Sequence, residues 1–419
     1  MRRDFTSFVT LFLLLTALPI NSFAKKLTGT IAKDTKITED VEIASDVVVS
    51  KGAELSFKKG VTVTFSGGSI EVYGTLRAEG SADARINFVG LKDGNRQLNG
   101  IRIVNSQDSE SLIKYCNFSL LNTAVLVINS SVLIEKSNFE NNKIAIDAKQ
   151  KDKSVIKDNV IRSCDKVGIF CKSDSNAVIV NNKIADIKKF GIYIHRSGGV
   201  KVTDNEIVSC AKGIMVSFVG SDPEISSNKL TSNKMAITID KGANPKLMHN
   251  NILNNRIGIN VSKRSDPMIA NNDITGNKMG IFVTYSSYPN IEKNNLIDNE
   301  HSVYLEFQSA QWEKAKGDSM KRGGKKQGGG KGMKGAFASA GGDAEYIAPK
   351  KNYSDKVSAT NNFWGDDITE EMENGTRNIS AIYDFYDAME FSEDGKKYKL
   401  DSVDFSSWSE MKFENKRVH

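Results

Sequence analysis

Residues 223–310 read as four successive segments of 22 residues: PEISSNKLTSNKMAITIDKGAN from Pro223, PKLMHNNILNNRIGINVSKRSD from Pro245, PMIANNDITGNKMGIFVTYSSY from Pro267 and PNIEKNNLIDNEHSVYLEFQSA from Pro289. Counting from an apolar anchor in each (Ile225, Leu247, Ile269, Ile291), asparagine recurs three and eight residues on, with apolar pairs twelve and fourteen residues on. The apolar positions alternate with period two and nowhere keep the 3.6-residue period of a helix, so each segment is a set of short strands joined by turns. A strand that returns to the same face after 22 residues pairs in parallel with its predecessor, about 4.8 Å away, and the product is a solenoid. Asn228, Asn250, Asn272 and Asn294 then stack as a ladder. Asparagine suits the bends, because it tolerates left-handed backbone and bonds its own main chain.

The phase extends backwards through Val202, Ile179, Ile156, Ile134 and Ile113, with single-residue differences absorbed in turns. A slip inside a strand would turn its core face outward. Between Thr30 and Asn105 strand patterns continue without the 22-residue phase, as in Val47–Val49, Leu55–Phe57, Val61–Phe65, Ile70–Val72, Ile86–Phe88 and Ile101–Ile103, with glycines as punctuation. The organisation that follows is a leader over 1–24, opening coils over 25–105, regular repeats of 21–23 residues over 106–310, a Gly/Lys-rich insertion over 311–356, and a final coil with a cap over 357–419.

These repeats resemble the parallel β-helix repeats of the pectin-lyase-like superfamily, seen also in the periplasmic accessory factors of the NosD kind. The opening GAELSFKKGVTVTF…NGIRI is similar to the first coils of secreted right-handed β-helix proteins, and Asn361-Asn362-Phe363-Trp364-Gly365 with Ile382-Tyr383-Asp384 is similar to their closing coil. The resemblance implies an all-β, right-handed, single-stranded parallel β-helix of about 12 coils. That fold carries lyases, hydrolases, epimerases and proteins with no catalysis, so it does not choose an activity.

Composition places limits on the rest. With 39% hydrophobic and 26% charged residues, the chain has the make-up of a folded water-soluble protein. Arg2 and Arg3, the apolar run Phe8–Leu18 and Ser22-Phe23-Ala24 form a signal-peptide pattern too short to span a bilayer, which implies a periplasmic or extracellular protein without a transmembrane segment. The four cysteines are expected as buried free thiols. Cys164 and Cys210 fall two coils apart, about 9.6 Å, beyond the reach of a disulfide.

From Gln311 to Ala336 eight Lys or Arg face two acids, a flexible cationic loop by composition. It lacks the aromatic interleaving of a nucleic-acid binder, and no nucleic-acid partner is expected. From Asp366 to His419 fourteen acidic residues face seven basic ones, an acidic cap in which Trp364, Phe385, Phe391, Phe405 and Trp408 supply apolar area. A calcium site is the alternative reading of this cap, although its spacing does not match an EF-hand loop. No metal ligands are assigned, and no cofactor.

Functional side chains must be those pointing out of the strands. Phe170, Tyr193, Phe282 and Tyr304 are the ligand-binding candidates, as aromatics in rows on one face. His195, Arg196 and Asp240 are the acid–base candidates, but no convergent set of base, acid and charge-neutralising groups is visible. The sequence therefore favours a non-catalytic exported scaffold that binds polysaccharide or an extracytoplasmic protein through its outer strand face. The alternatives are a polysaccharide lyase or related carbohydrate-active enzyme, and a NosD-like accessory factor.

Overall fold

Backbone pairing repeats every turn of the chain. In the computed structural model, which describes residues 25–91, 98–107, 110–315 and 354–414, Ile225 pairs with Leu247, Leu247 with Ile269 and Ile269 with Ile291, all in parallel. The predicted stacking of residues 22 apart is the observed register. Three parallel sheets of 13, 14 and 12 strands form the walls of one right-handed β-helix of about 12 coils. One coil runs from a strand of the 12-stranded sheet (Glu224–Ser226) to the 13-stranded sheet (Lys229–Thr231) and then the 14-stranded sheet (Met235–Asp240).

The opening coils obey the same topology with looser spacing. Paired residues one coil apart are separated by as few as 16 positions (Lys25 and Val41) and as many as 35 (Arg77 and Leu112), and the differences sit between strands. Inside these coils Phe88, Phe118 and Phe139 stack at 4.7 and 4.8 Å. The sequence reading did not anticipate this column, because the spacing of its members, 30 and then 21 residues, has no constant period. All four cysteines are free and buried, with the thiols of Cys116, Cys164 and Cys210 pushed up to about 12 by that burial.

The asparagine ladder runs unbroken from Asn159 through Asn182, Asn205, Asn228, Asn250, Asn272 and Asn294 to Asn362, so it crosses the insertion without losing phase. At Asn250 the side-chain amide donates to Asn272 Oδ1 (3.0 Å), Ile225 O (2.9 Å) and Met248 O (3.1 Å). Its Oδ1 accepts from the backbone N–H and the amide of Asn228. The left-handed residue is not the asparagine but the one before it: Ser227, His249, Asn271 and Lys293 all have φ between 54° and 57°. The asparagine satisfies the groups that this bend leaves open. A second ladder, Asn233–Asn255–Asn277–Asn299, does the same at the next corner.

At the far end Ile382–Tyr383 adds the last strand to the 14-stranded sheet, Trp364 is buried in the core, and a helix spans Asp366–Glu373. Phe391, Phe405 and Trp408 pack against the core, as the cap reading requires. Past the last repeat, residues 310–315 are helical, and Glu313 is buried in an ion pair with Arg264. The leader over 1–24 and positions 316–353 of the insertion lie outside the described residues. Asp401 ties the cap to the coils, accepting from Ala310 N–H and Tyr288 Oη at 3.0 Å.

Two predictions follow from this scaffold. Asn250→Ala leaves several buried donors and acceptors without partners, and at about 1–3 kcal/mol for such a group it should lower unfolding stability by about 3 kcal/mol or more. Ala at exposed Asn244 should change a denaturant melt far less. Asp401 is raised to about 6, chiefly by burial and then by Asp355, against hydrogen bonds from Ala310, Tyr288 and Gln308. The folded state thus holds this proton more tightly than the unfolded chain, whose aspartates titrate near 3.9. Its contribution is full below about pH 4 and is lost as pH rises through about 6. Melting temperatures across that window should fall with pH, and Asp401→Asn should flatten this part of the dependence.

Candidate functional site

Strands of the 14-stranded sheet send residues outward in fixed columns. One column is Phe170, Tyr193, Met215, Thr238, Asn260, Phe282, Tyr304 and Tyr383, paired in that order, and beside it run Lys172, His195, Ser217 and Asp240. The candidate residues share this one face.

His195 Nδ1 lies 3.3 Å from Tyr193 Oη and 3.3 Å from Ser217 Oγ, and the two hydroxyls are 3.1 Å apart, so the three form a hydrogen-bonded triangle. Burial pushes the Tyr193 hydroxyl up, and Asp240 adds to this against the bond from Ser217. Asp240 is two rungs from His195, about 9.6 Å along the sheet, so the two are not in contact. Its carboxyl is raised by burial and opposed by Lys263, at 3.8 Å, and by Lys241 and Lys212. Arg196 is turned onto the Phe218 ring at 4.8 Å, where Lys241 also sits at 4.3 Å, while the His195 ring meets Phe218 edge-on. Phe218 itself has φ 78°, an uncommon conformation for a bulky residue.

The aromatic candidates fall into two groups. Phe170 and Tyr193 stack face to face at 4.8 Å, joined by Phe190 at 4.9 Å. Phe282 and Tyr304 are tilted at 5.8 Å, and Tyr304 stacks on Tyr383 at 4.3 Å with His301 edge-on. Their ring faces are largely turned to one another or to cations: Lys172 stands 4.5 Å over Phe170 and Lys212 stands 5.6 Å over Phe190. Such contacts hold ammonium groups in place, each contributing about 0.5–1 kcal/mol at an exposed site. Phe170 and Phe190 thus hold lysine ammonium groups over their rings.

Those cations line both edges of the face. The residue just before each strand is Lys143, Lys166, Lys189, Ala211, Lys234, Arg256 and Lys278 in successive coils. On the other edge stand Lys149, Lys172, Arg196, Lys241 and Lys263, and Lys212 lies between the two. That is twelve cations over seven rungs against two carboxylates, Asp147 and Asp240. The like charges are close enough to feel one another. Lys166 is lowered by burial and then by Lys143 and Lys189, and Lys212 by burial and then by Lys263 and Lys234, against Asp240. On the other two faces signs alternate, as in Lys183–Glu206–Lys229 and Lys201–Glu224–Lys246. The sequence reading missed these rails, although Lys234, Arg256 and Lys278 of one of them stand in the repeats as the residue after the second asparagine.

Chemically, the face can attract a polyanion along its length and can move a proton at Tyr193 or His195. Asp147 and Asp240 are four rungs apart, about 19 Å, too far for the paired-carboxylate hydrolysis of a glycosidic bond.

A family model described as a right handed beta helix region matches residues 99–244, and one described as periplasmic copper-binding protein (NosD) matches residues 186–330. The chain is a right-handed parallel β-helix repeat protein. Two crystal structures of mutant forms of the periplasmic alginate epimerase AlgG share the β-helix, with TM-scores of 0.54 and 0.52; each is 14% identical, and the match covers 64% of this chain and 76% and 77% of theirs. The catalytic unit of a GH87 alpha-1,3-glucanase from Streptomyces thermodiastaticus aligns at a TM-score of 0.47, with 11% identity over 66% of this chain and 58% of that one. At these identities the likeness shows the fold alone. No curated protein matches the chain. Among the described residues no three His, Cys, Asp or Glu side chains gather to hold a metal ion, and His195, His249 and His301 stand in separate coils. No helix among the described residues is long and apolar enough to cross a membrane.

Proposed function

We propose that this β-helix binds an acidic polysaccharide lengthwise along the outer face of its 14-stranded sheet, as an exported scaffold whose main role is not catalytic. The observation that carries the reading is the run of twelve cations on seven successive rungs of that face, where the two other faces alternate in sign. A chain with one carboxylate per sugar presents its charges in a row, and a rigid row of ammonium and guanidinium groups meets it without paying for folding on contact. Nucleic acid is the poorer match, because base stacking needs open ring faces and those of Phe170, Tyr193 and Tyr304 are taken up by neighbours. The fold neighbour named for alginate acts on a polymer of this kind.

A second reading has its own observation. The Tyr193–His195–Ser217 triangle shares its face with Arg196, turned onto Phe218, and Lys212, over Phe190, and removal of a proton next to a uronate carboxylate calls for such groups: a base, and cations to stabilise the charge that develops. In a lyase the C–H electrons form a C=C bond while the glycosidic C–O bond breaks and the leaving oxygen takes a proton.

Calorimetric titration with a polyuronate and with neutral dextran tests both. Polyuronate should bind and dextran should not, with affinity falling steeply as salt is raised. Lys212→Ala and Arg256→Ala should each weaken binding about fivefold, or about 1 kcal/mol. Equal binding of the two polymers would overturn the reading. In the same mixtures, ultraviolet absorbance from an unsaturated product that disappears in Tyr193→Phe and His195→Ala would instead establish the lyase.

A further inference from the structure

We infer that the polysaccharide site has a fixed length of about seven sugar units and a closed end at Glu300. This rests on the reading just given and adds to it where the ligand must stop.

The charge pattern changes sign along the same column. The position just before each strand is basic in all but one coil from Lys143 to Lys278, and in the next coil it is Glu300, whose carboxylate lies 3.5 Å from the Lys278 ammonium. The opposite edge turns at the same height: past Lys263 its outward charged residue is Glu306, which is exposed. Tyr304 is raised by burial and then by Tyr383, Glu306 and Asp387, and Tyr285 by burial and then by Glu393 and Glu306. The final strand, Ile382–Tyr383, and the acidic cap follow directly.

A polyanion sliding towards the cap therefore leaves an attractive field and enters a repulsive one within one rung. Seven rungs separated by about 4.8 Å give a basic track about 29 Å long. An extended pyranose chain advances by a similar distance per sugar, so each carboxylate finds one rung until the track ends. Longer chains can overhang only at the other end, towards Lys143, where they gain no further cation from the track. The site distinguishes oligomers by length up to that limit and not beyond it.

The test is calorimetric titration of the full chain with oligouronates of graded length. Affinity should climb with each added unit to about seven units and then stay flat within about twofold, since further units meet no further rung. The double charge reversal Glu300→Lys with Glu306→Lys, both on one rung, should move the break to about eight units. Lys278→Glu, which alters a single exposed side chain at the other side of the boundary, should move it to about six. Affinity that keeps climbing past about nine units in the unaltered protein, or a break that stays in place in folded, binding-competent variants, would overturn the fixed length while leaving polysaccharide binding intact. Failure of every oligomer to bind would overturn both.

Discussion

The stacking of one amide on the next is the constraint on which the rest of this molecule depends. A parallel solenoid must bend its chain sharply at every corner, and each bend leaves backbone groups that the strands cannot satisfy. Asn228, Asn250 and Asn272 each close that gap for the coil on one side while presenting Oδ1 to the coil on the other. A coil with a different number of residues inside a strand would bring another side chain to that point, with buried polar groups unmet in two coils at once. Register is fixed by the corner, and every outward column inherits it. The return of Asn362 to the ladder after the insertion shows how strict this is: chain of any length can leave the coil, provided that the next amide arrives in place.

Because height along the rod is set by the repeat, chemistry at one position of the repeat becomes a row on the surface. That is how single charges, one to a coil, add up to a field along the whole face. Aromatic residues in the outward columns stabilise the row: the rings stack at close to the strand spacing, as Phe170 and Tyr193 do, and carry Lys172 and Lys212 over their faces. The Tyr193–His195–Ser217 triangle arises the same way, since Ser217 is the direct cross-strand neighbour of His195. No loop is needed to bring these three groups together.

Much of this was legible in the residues, and the parts that were not share a cause. Inward positions announce themselves by repetition, so Ile225, Leu247, Ile269 and Ile291, the ladder asparagines and the column from Phe170 to Tyr304 could all be placed before any coordinates. Side-chain direction beyond the strand is not periodic. Arg196 stands beside His195 in sequence but turns to Phe218, whose left-handed backbone has no signature in its residue type. Asp240 is matched to His195 by column yet is held by Lys263 from the next coil. The internal stack Phe88–Phe118–Phe139 was hidden by coils of unequal length. The rails were overlooked for a different reason: a lysine after an asparagine in a turn is ordinary once, and becomes informative only when the neighbouring columns are known to alternate.

That contrast sets the cationic face apart from the other two. Like charges directly opposite each other on adjacent strands are unfavourable, and opposite charges favourable, by some tenths of a kcal/mol per pair. The two other faces take the favourable option, with Lys229 3.3 Å from Glu206 and Lys201 3.9 Å from Glu224. On the 14-stranded sheet the same backbone spacing places Lys143, Lys166 and Lys189 one above another, and Lys166 is lowered first by burial and then by its two lysine neighbours. Nothing in the fold requires this, since the asparagine ladder and the apolar core would be the same with glutamate at every second rung. Small ions screen such a row in solution, and an extended chain bringing negative charge at the same repeat would relieve its repulsion further.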